Sequence, residues 1–235
     1  MIEFENTAIV ITARMAAPGL PGRPMLDVNG RPLVLRAWAN AVAANLGPVL
    51  VATADSLVAE AVRAAGGDAL VVPQRLSGVA DQAAAAIALR DGQRQFHHVM
   101  GLPCQFPLVE ALSLRRCLAG LMNEQVEIAT LACRAAPGEA GRIIAPLEGE
   151  REVAYLRGFA GPGENAPFRQ IPIYAFRRAA LEHFASLPPG LRKDAPEAQR
   201  ALDAGMKLAA VKVDTAPLSV DTPQELEALR RLLKA

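Results

Sequence analysis

The sequence predicts an α/β domain built on a mostly parallel, doubly wound sheet. Two observations carry this. Short β-branched or apolar runs alternate with helical patterns through the first third of the chain, the pattern of parallel strands joined by crossover helices. The first of those runs feeds a loop broken throughout by proline and glycine, the kind of loop that lies at the carboxyl edge of an open sheet, where ligands bind.

Each element follows in order. Thr7–Ile11 (T-A-I-V-I) reads as a buried parallel strand. Met15–Pro24 cannot be helical, because prolines and glycines interrupt it. Val28-Asn29-Gly30-Arg31 is a turn, and Pro32 suits the first turn of a helix running to about Asn45. Pro48–Thr53 is the second strand. Ser56 can cap a helix that runs through Ala65 and stops at Gly66-Gly67, and Ala69–Val72 is the third strand. Asp81–Leu89 is an alanine-rich helix, His98–Leu102 the fourth strand, and Pro103–Pro107 a second proline-containing loop. Ile128–Cys133 and Arg142–Ala145 look like strands, Gly158–Pro167 is a breaker-rich loop, and Arg169–Phe176 returns as a strand. Leu208–Val213 is a late strand. Pro223–Lys234 is a closing amphipathic helix capped by Asp221 or Thr222. No linker or repeat divides residues 1–235, so one domain is expected, with the middle section as an insertion or dimer arm.

Composition excludes several classes. A hydrophobic fraction of 51% over 235 residues is ample for a core. Lys+Arg number 25 against 24 Asp+Glu, which removes the electrostatic reason to expect nucleic acid as a partner. No run reaches the ~20 apolar residues of a membrane helix, so no membrane partner is expected. The start of the chain, with Glu3 and Glu5, lacks the basic opening of a secretory signal. Cys104, Cys117 and Cys133 stand at no metal-ligand spacing and read as buried thiols. His97 and His98 read as surface residues. A cytoplasmic protein is expected. The G-x-G-x-x-G of a nicotinamide dehydrogenase is missing from the first turn.

The loop after the first strand carries the chemistry. It runs Ala13-Arg14-Met15-Ala16-Ala17-Pro18-Gly19-Leu20-Pro21-Gly22-Arg23-Pro24. Glycines let backbone amides approach an anion, and guanidinium groups suit phosphate oxygens. The same residues also fit a proline-rich surface loop with two solvated arginines.

This stretch resembles the signature loop of the sugar-activating cytidylyltransferases, above all the 3-deoxy-manno-octulosonate (KDO) cytidylyltransferases. The family reads approximately P-A-R-x-x-S-T-R-L-P-G-K-P-L-x-D-I-x-G-K-P-M here. Val51-Ala52-Thr53 resembles its V-A-T-D, Ala64-Ala65-Gly66-Gly67 its A-A-G-G, and Ser77-Gly78 the opening of its S-G-T-E-R. Ile173-Tyr174 resembles its G-I-Y, and Val220-Asp221-Thr222-Pro223 its V-D-T-P. The resemblance implies a Rossmann-like fold of the nucleotide-diphospho-sugar transferase type with a dimerisation arm at about 128–176. It implies a homodimer that transfers CMP from CTP to an acidic keto-sugar such as KDO. It also implies site residues: Arg14 and Arg23 as catalytic; Ala13, Arg14, Gly22, Arg23, Ser77, Gly78 and Gln105 on the nucleotide; Gln170, Tyr174 and Glu197 on the sugar; and Asp221 on Mg²⁺.

The departures are as informative. The family's second loop arginine is Gly19 here, and its lysine is Arg23. The Asp of V-A-T-D is Ala54, and Val79-Ala80-Asp81 replaces T-E-R. The family's N-V-Q-G-D-E-P becomes Gly101-Leu102-Pro103-Cys104-Gln105-Phe106-Pro107, so Gln105 stands where a metal-binding aspartate is expected. Gln170 replaces a histidine. Because Mg²⁺ is usually held by one or two carboxylates, weak Mg²⁺ binding is expected unless Asp55 or Asp81 moves in beside Asp221. Other readings stand beside these. Asp221 fits a plain helix cap, Tyr174 fits a core residue, and Glu197 with Arg200 fits a solvated helix pair. At the level of function, an active enzyme competes with a relative that binds nucleotide or a partner without turnover.

Overall fold

The computed structural model describes residues 6–17, 19–135, 143–144, 153–155, 168–188 and 196–234. The loop expected at Gly158–Pro167 lies outside them, as does much of the expected arm. The elements are β1 (Thr7–Ala13), β2 (Asp27–Val28), β3 (Arg31–Pro32), α1 (Leu33–Ala43), β4 (Val49–Thr53), α2 (Ser56–Ala64), β5 (Asp68–Val71), α3 (Val79–Arg90) and β6 (His98–Pro103). They continue with α4 (Ala111–Ala119), β7 (Ile128–Arg134), β8 (Ile143–Ile144), β9 (Val153–Tyr155), β10 (Phe168–Arg177), α5 (Arg178–Ser186), α6 (Glu197–Asp203), β11 (Leu208–Lys212) and α7 (Pro223–Leu232).

The sheet is mostly parallel, in the order β5-β4-β1-β6-β10-β7-β11-β9, with β8 beside β10. β1 is buried at every position and pairs in parallel with β4 on one side and β6 on the other. Period-two alternation explains why it needs no polar face. Ile9 and Ile11 point into the core with α1, α2 and α4, while Ala8 and Val10 point into the core with α3, α5 and α6. Truncating such a side chain, as in Ile9→Ala, costs about 2–5 kcal/mol.

Two strands depart from a purely parallel sheet, β9 at its edge, antiparallel to β11, and β10 within it. β10 is inserted antiparallel between β6 and β7, with an irregularity between Ile171 and Tyr174. Its reversal carries Phe168–Ile171 beyond its pairing with β6, which covers Tyr174–Arg177. The amino-terminal half of β10 therefore projects over the carboxyl edge of the sheet, where the ligand cleft lies.

The closing helix settles how Asp221 is used. Thr222, not Asp221, is the N-cap of α7: its hydroxyl accepts from the Glu225 N–H at 3.3 Å, and Glu225 accepts from the Asp221 and Thr222 N–H groups at 2.8 Å each. This capping box leaves the Asp221 carboxylate for the cleft. His98 is also not the surface residue expected: it is half-buried, because β6 carries it into the sheet beside β1, and burial pushes its pKa down.

Candidate functional site

A cleft of about 720 Å³ opens at the carboxyl ends of β1 and β6, within the range of small-molecule sites and at the place open α/β sheets use for ligands. Thr12 and Arg14 reach it from the end of β1, Gln105 from the loop after β6, Ser77 and Gly78 from the entry to α3, Gln170 from β10, Glu197 from α6 and Asp221 from the entry to α7. Residues far apart in sequence meet there because each follows or precedes a strand on the same edge.

Arg23 organises the cleft floor. It is 6% exposed. Its Nη1 donates to the Val220 carbonyl and to Gln105 Oε1, both at 3.1 Å, and pairs with the Asp221 carboxylate. Gln105 bridges the pair: its Nε2 donates to Asp221 Oδ2 at 3.2 Å. The amide orientation is dictated, since guanidinium only donates and carboxylate only accepts. The Ser219 hydroxyl also bonds to Asp221. The two remaining nitrogens of Arg23, a residue that lines the cleft, make no hydrogen bond among the described residues. Gly19 belongs to this arrangement through the backbone. Its φ is +81° and a Cβ would come within 2.9 Å of the Asp221 carbonyl, so an arginine is excluded there for as long as the loop packs on Asp221 in this way.

The rim has a second organising contact. Glu197 accepts from the Val79 and Ala80 N–H groups at 2.7 and 2.9 Å, satisfying the first turn of α3. A Cβ on Gly78 would fall 2.1 Å from the Glu197 carboxylate, which accounts for glycine at that position. Glu197 and Arg200 are thus not a solvated pair. Arg200 binds Asp81 at 3.0 Å and stacks 4.1 Å from the Phe184 ring.

The other expected residues divide into two groups. Arg14 lines the cleft and makes no ion pair or side-chain hydrogen bond among the described residues. Gln170 is 3% exposed and lines the cleft, its Nε2 donating to Thr130 and Tyr174 hydroxyls at 3.1 Å. Ala13, Gly22 and Tyr174 do not line it. Ala13 is core, and Gly22 holds the loop by donating its N–H to the Met15 carbonyl at 2.7 Å. Tyr174 is 2% exposed and packs 5.6 Å from Phe176 on the α3 face; its hydroxyl meets the site by accepting from Gln170 Nε2 at 3.1 Å.

Residue patterns passed over Thr12, Arg169 and Ser219, all of which line the cleft. Thr12 is the signal a reader could have used, because alternation from Ile9 and Ile11 sets it on the opposite face at the strand end. Cys104 also lines the cleft, but burial pushes its thiol up to about 11, so it is no nucleophile at neutral pH.

The donor set does not fit a resident Mg²⁺. Asp221 lines the cleft, and both its oxygens are engaged by Arg23, Gln105 and Ser219. Asp55 does not move in: it accepts from the Met15 N–H at 3.1 Å. Asp81 is bound to Arg200. Among the described residues no group of three or more potential ligands from His, Cys, Asp and Glu converges.

Comparison with known proteins places the chain. The cytidylyltransferase family model matches residues 8–194. A 3-deoxy-manno-octulosonate cytidylyltransferase of Rhodopseudomonas palustris is 37% identical, covering 97% of this chain and 98% of its own. One from a Bradyrhizobium species is 39% identical over 96% of each chain. The solved structure of CMP:2-keto-3-deoxy-manno-octonic acid synthetase in complex with CTP superposes with a TM-score of 0.82 at 25% identity, covering 97% of this chain and 98% of that one. A 4-diphosphocytidyl-2C-methyl-D-erythritol synthase of Anaerococcus prevotii shares the fold at a TM-score of 0.64 and 11% identity. The chain belongs to the cytidylyltransferase family, with the 3-deoxy-manno-octulosonate cytidylyltransferases as its full-length relatives.

Proposed function

We propose that the cleft binds CTP and that the protein transfers its cytidylyl group to KDO. The observation that carries this is the meeting of Arg14 and Arg23, both from the proline- and glycine-rich loop, at one sheet-edge cleft. In the reaction the anomeric hydroxyl of the sugar attacks the α-phosphorus of CTP, a P–O bond forms as the hydroxyl proton passes to water, the bond to the bridging oxygen breaks, and pyrophosphate leaves. Charge grows on the phosphate oxygens, and preorganised cations lower that barrier. Arg14 has its guanidinium available for this, and Arg23 presents its unused N–H groups from a fixed position. Gln170 and Glu197 line the same cleft and are assigned to the sugar by family resemblance.

A second reading has one observation in its favour. The carboxamide of Gln105 stands between Arg23 and Asp221, where the family pattern has a carboxylate, and this favours a relative that binds nucleotide without turnover. Calorimetry with CTP, UTP, ATP and GTP, followed by KDO added to the CTP complex, separates the readings. Tightest binding by CTP, with pyrophosphate released on adding KDO, supports the enzyme. CTP binding with no pyrophosphate supports the second reading. No preference for CTP contradicts the enzyme, and no binding of any of the four nucleotides contradicts both.

The same reading carries a symmetric homodimer formed through the middle section, by family resemblance, and a reducing cytoplasmic setting, which the buried free thiols of Cys104, Cys117 and Cys133 support. Among the described residues no helix is long and apolar enough to cross a membrane. A monomer in light scattering at micromolar concentration would remove the dimer.

A further inference from the structure

We infer that this cleft takes the triphosphate of a nucleotide without a divalent cation, with Arg23 as the fixed positive charge at the phosphate end. The inference rests on CTP being the ligand and goes further by specifying its charge state and counter-ion.

The argument is one of donors and acceptors. A carboxylate recruits a metal when its oxygens are available and further anionic ligands stand beside it. Asp221 has neither. Oδ1 pairs with Arg23, and Oδ2 accepts from Gln105 at 3.2 Å and from Ser219. Gln105 contributes a donor toward Asp221, and its carbonyl oxygen is turned to Arg23 at 3.1 Å. The carboxamide oxygen beside Asp221 therefore already accepts from a cation. A carboxylate at this position could not make the bond to Asp221 Oδ2, because two acceptors would face each other.

The other carboxylates of the cleft are committed as well. Glu225 closes the capping box on α7, and Glu197 binds the first turn of α3. On the positive side, Arg23 is 6% exposed, tied at Nη1 to three acceptors, and keeps two nitrogens without partners among the described residues. A guanidinium held in this way is preorganised for bidentate contact with phosphate oxygens. Arg14, with no partner among the described residues, adds a second charge across the cleft. The cleft thus offers built-in cations beside carboxylates that already hold hydrogen bonds of their own.

Two measurements on the full chain test this. In calorimetry, CTP is expected to bind in excess EDTA, with an affinity that excess Mg²⁺ changes by no more than about threefold. Binding that Mg²⁺ strengthens about tenfold or more overturns the inference and leaves the CTP reading intact. No CTP binding in either condition overturns both. In the second measurement, the electron paramagnetic resonance signal of free Mn²⁺ is followed on titration with protein alone. The native chain is expected to leave the signal unchanged, whereas Gln105→Asp, with two adjacent carboxylates, is expected to deplete it. Depletion by the native chain overturns the inference. A folded Gln105→Asp variant that depletes nothing removes Gln105 as the residue that turns the metal away.

Discussion

Two arginine–aspartate pairs stand at opposite edges of one sheet, Arg178–Asp91 and Arg23–Asp221, and they are built for different purposes. At the amino edge, Arg178 and Asp91 pair with side chains only 10% and 3% exposed. Asp91 also accepts from the Gln95 and Phe96 N–H groups at 2.8 and 2.9 Å, and Arg178 also bonds Glu182 at 2.8 Å. At the carboxyl edge, Arg23 is as buried, at 7%, but Asp221 is 42% exposed. The first pair is closed on every side and locks α3, β6 and α5 together. The second is open on one side, with hydrogen-bonding capacity left over on the cation. The difference is what separates a structural ion pair from one poised to meet a ligand.

The largest effect expected is at the closed pair. Asp91→Ala leaves the Arg178 charge buried with less compensation and should cost about 3–5 kcal/mol in urea unfolding. CTP affinity of the fraction that remains folded should be unchanged. A small loss would mean that Glu182 alone suffices for Arg178, and the comparison would lose its structural half. The same pair predicts the acid limb of stability. Burial alone would raise the Asp91 pKa, but the N–H groups of Phe96 and Gln95 together with Arg178 hold it below its ordinary value of 3.8. A carboxyl that is more acidic in the folded state contributes stability that is present above the unfolded value and lost as pH falls through the folded one. Unfolding free energy should therefore drop below about pH 4, and the drop should be shallower in Asp91→Asn.

Arg14→Ala reports on the open edge. It should weaken CTP by about 10- to 100-fold, the worth of a charge-assisted bond, and leave unfolding within about 0.5 kcal/mol of the native chain. An unaltered CTP affinity would move the phosphates away from this loop. Gly78→Ala is smaller and tests the rim. Its methyl group would displace Glu197 from the α3 N–H groups, with an expected cost of about 1–3 kcal/mol in stability. Thr222→Ala should cost least, about 1 kcal/mol through loss of the α7 cap. A large loss of CTP affinity in that variant would show that the cap also positions Asp221.

The two edges also differ in how far the sequence discloses them. β1, β4, β5, β6 and β11 are short apolar runs bounded by breakers, and their alternation with helices is legible residue by residue. The reversed insertion of β10 is not, because an antiparallel strand buried on both faces has the same composition as a parallel one. The helices α4 and α5 stand outside the elements read from the sequence. In the cleft, Arg14, Arg23, Gln105 and Asp221 were legible as a motif. Their mutual bonds were not, since Arg23 and Asp221 stand 198 positions apart. The same distance hid the role of Glu197, whose partners Val79 and Ala80 lie more than a hundred residues earlier. Tyr174 shows the converse: its motif was legible, but strand alternation turns its ring into the core.

The measurement that most directly tests cytidylyl transfer is phosphorus magnetic resonance of the protein with CTP and KDO, run with and without Mg²⁺. The account predicts that the β- and γ-phosphate signals of CTP give way to pyrophosphate while a phosphodiester signal of CMP-KDO appears, in a manner that requires both KDO and the protein. CTP that binds in the cleft and yet persists unchanged beside KDO in both conditions would contradict it.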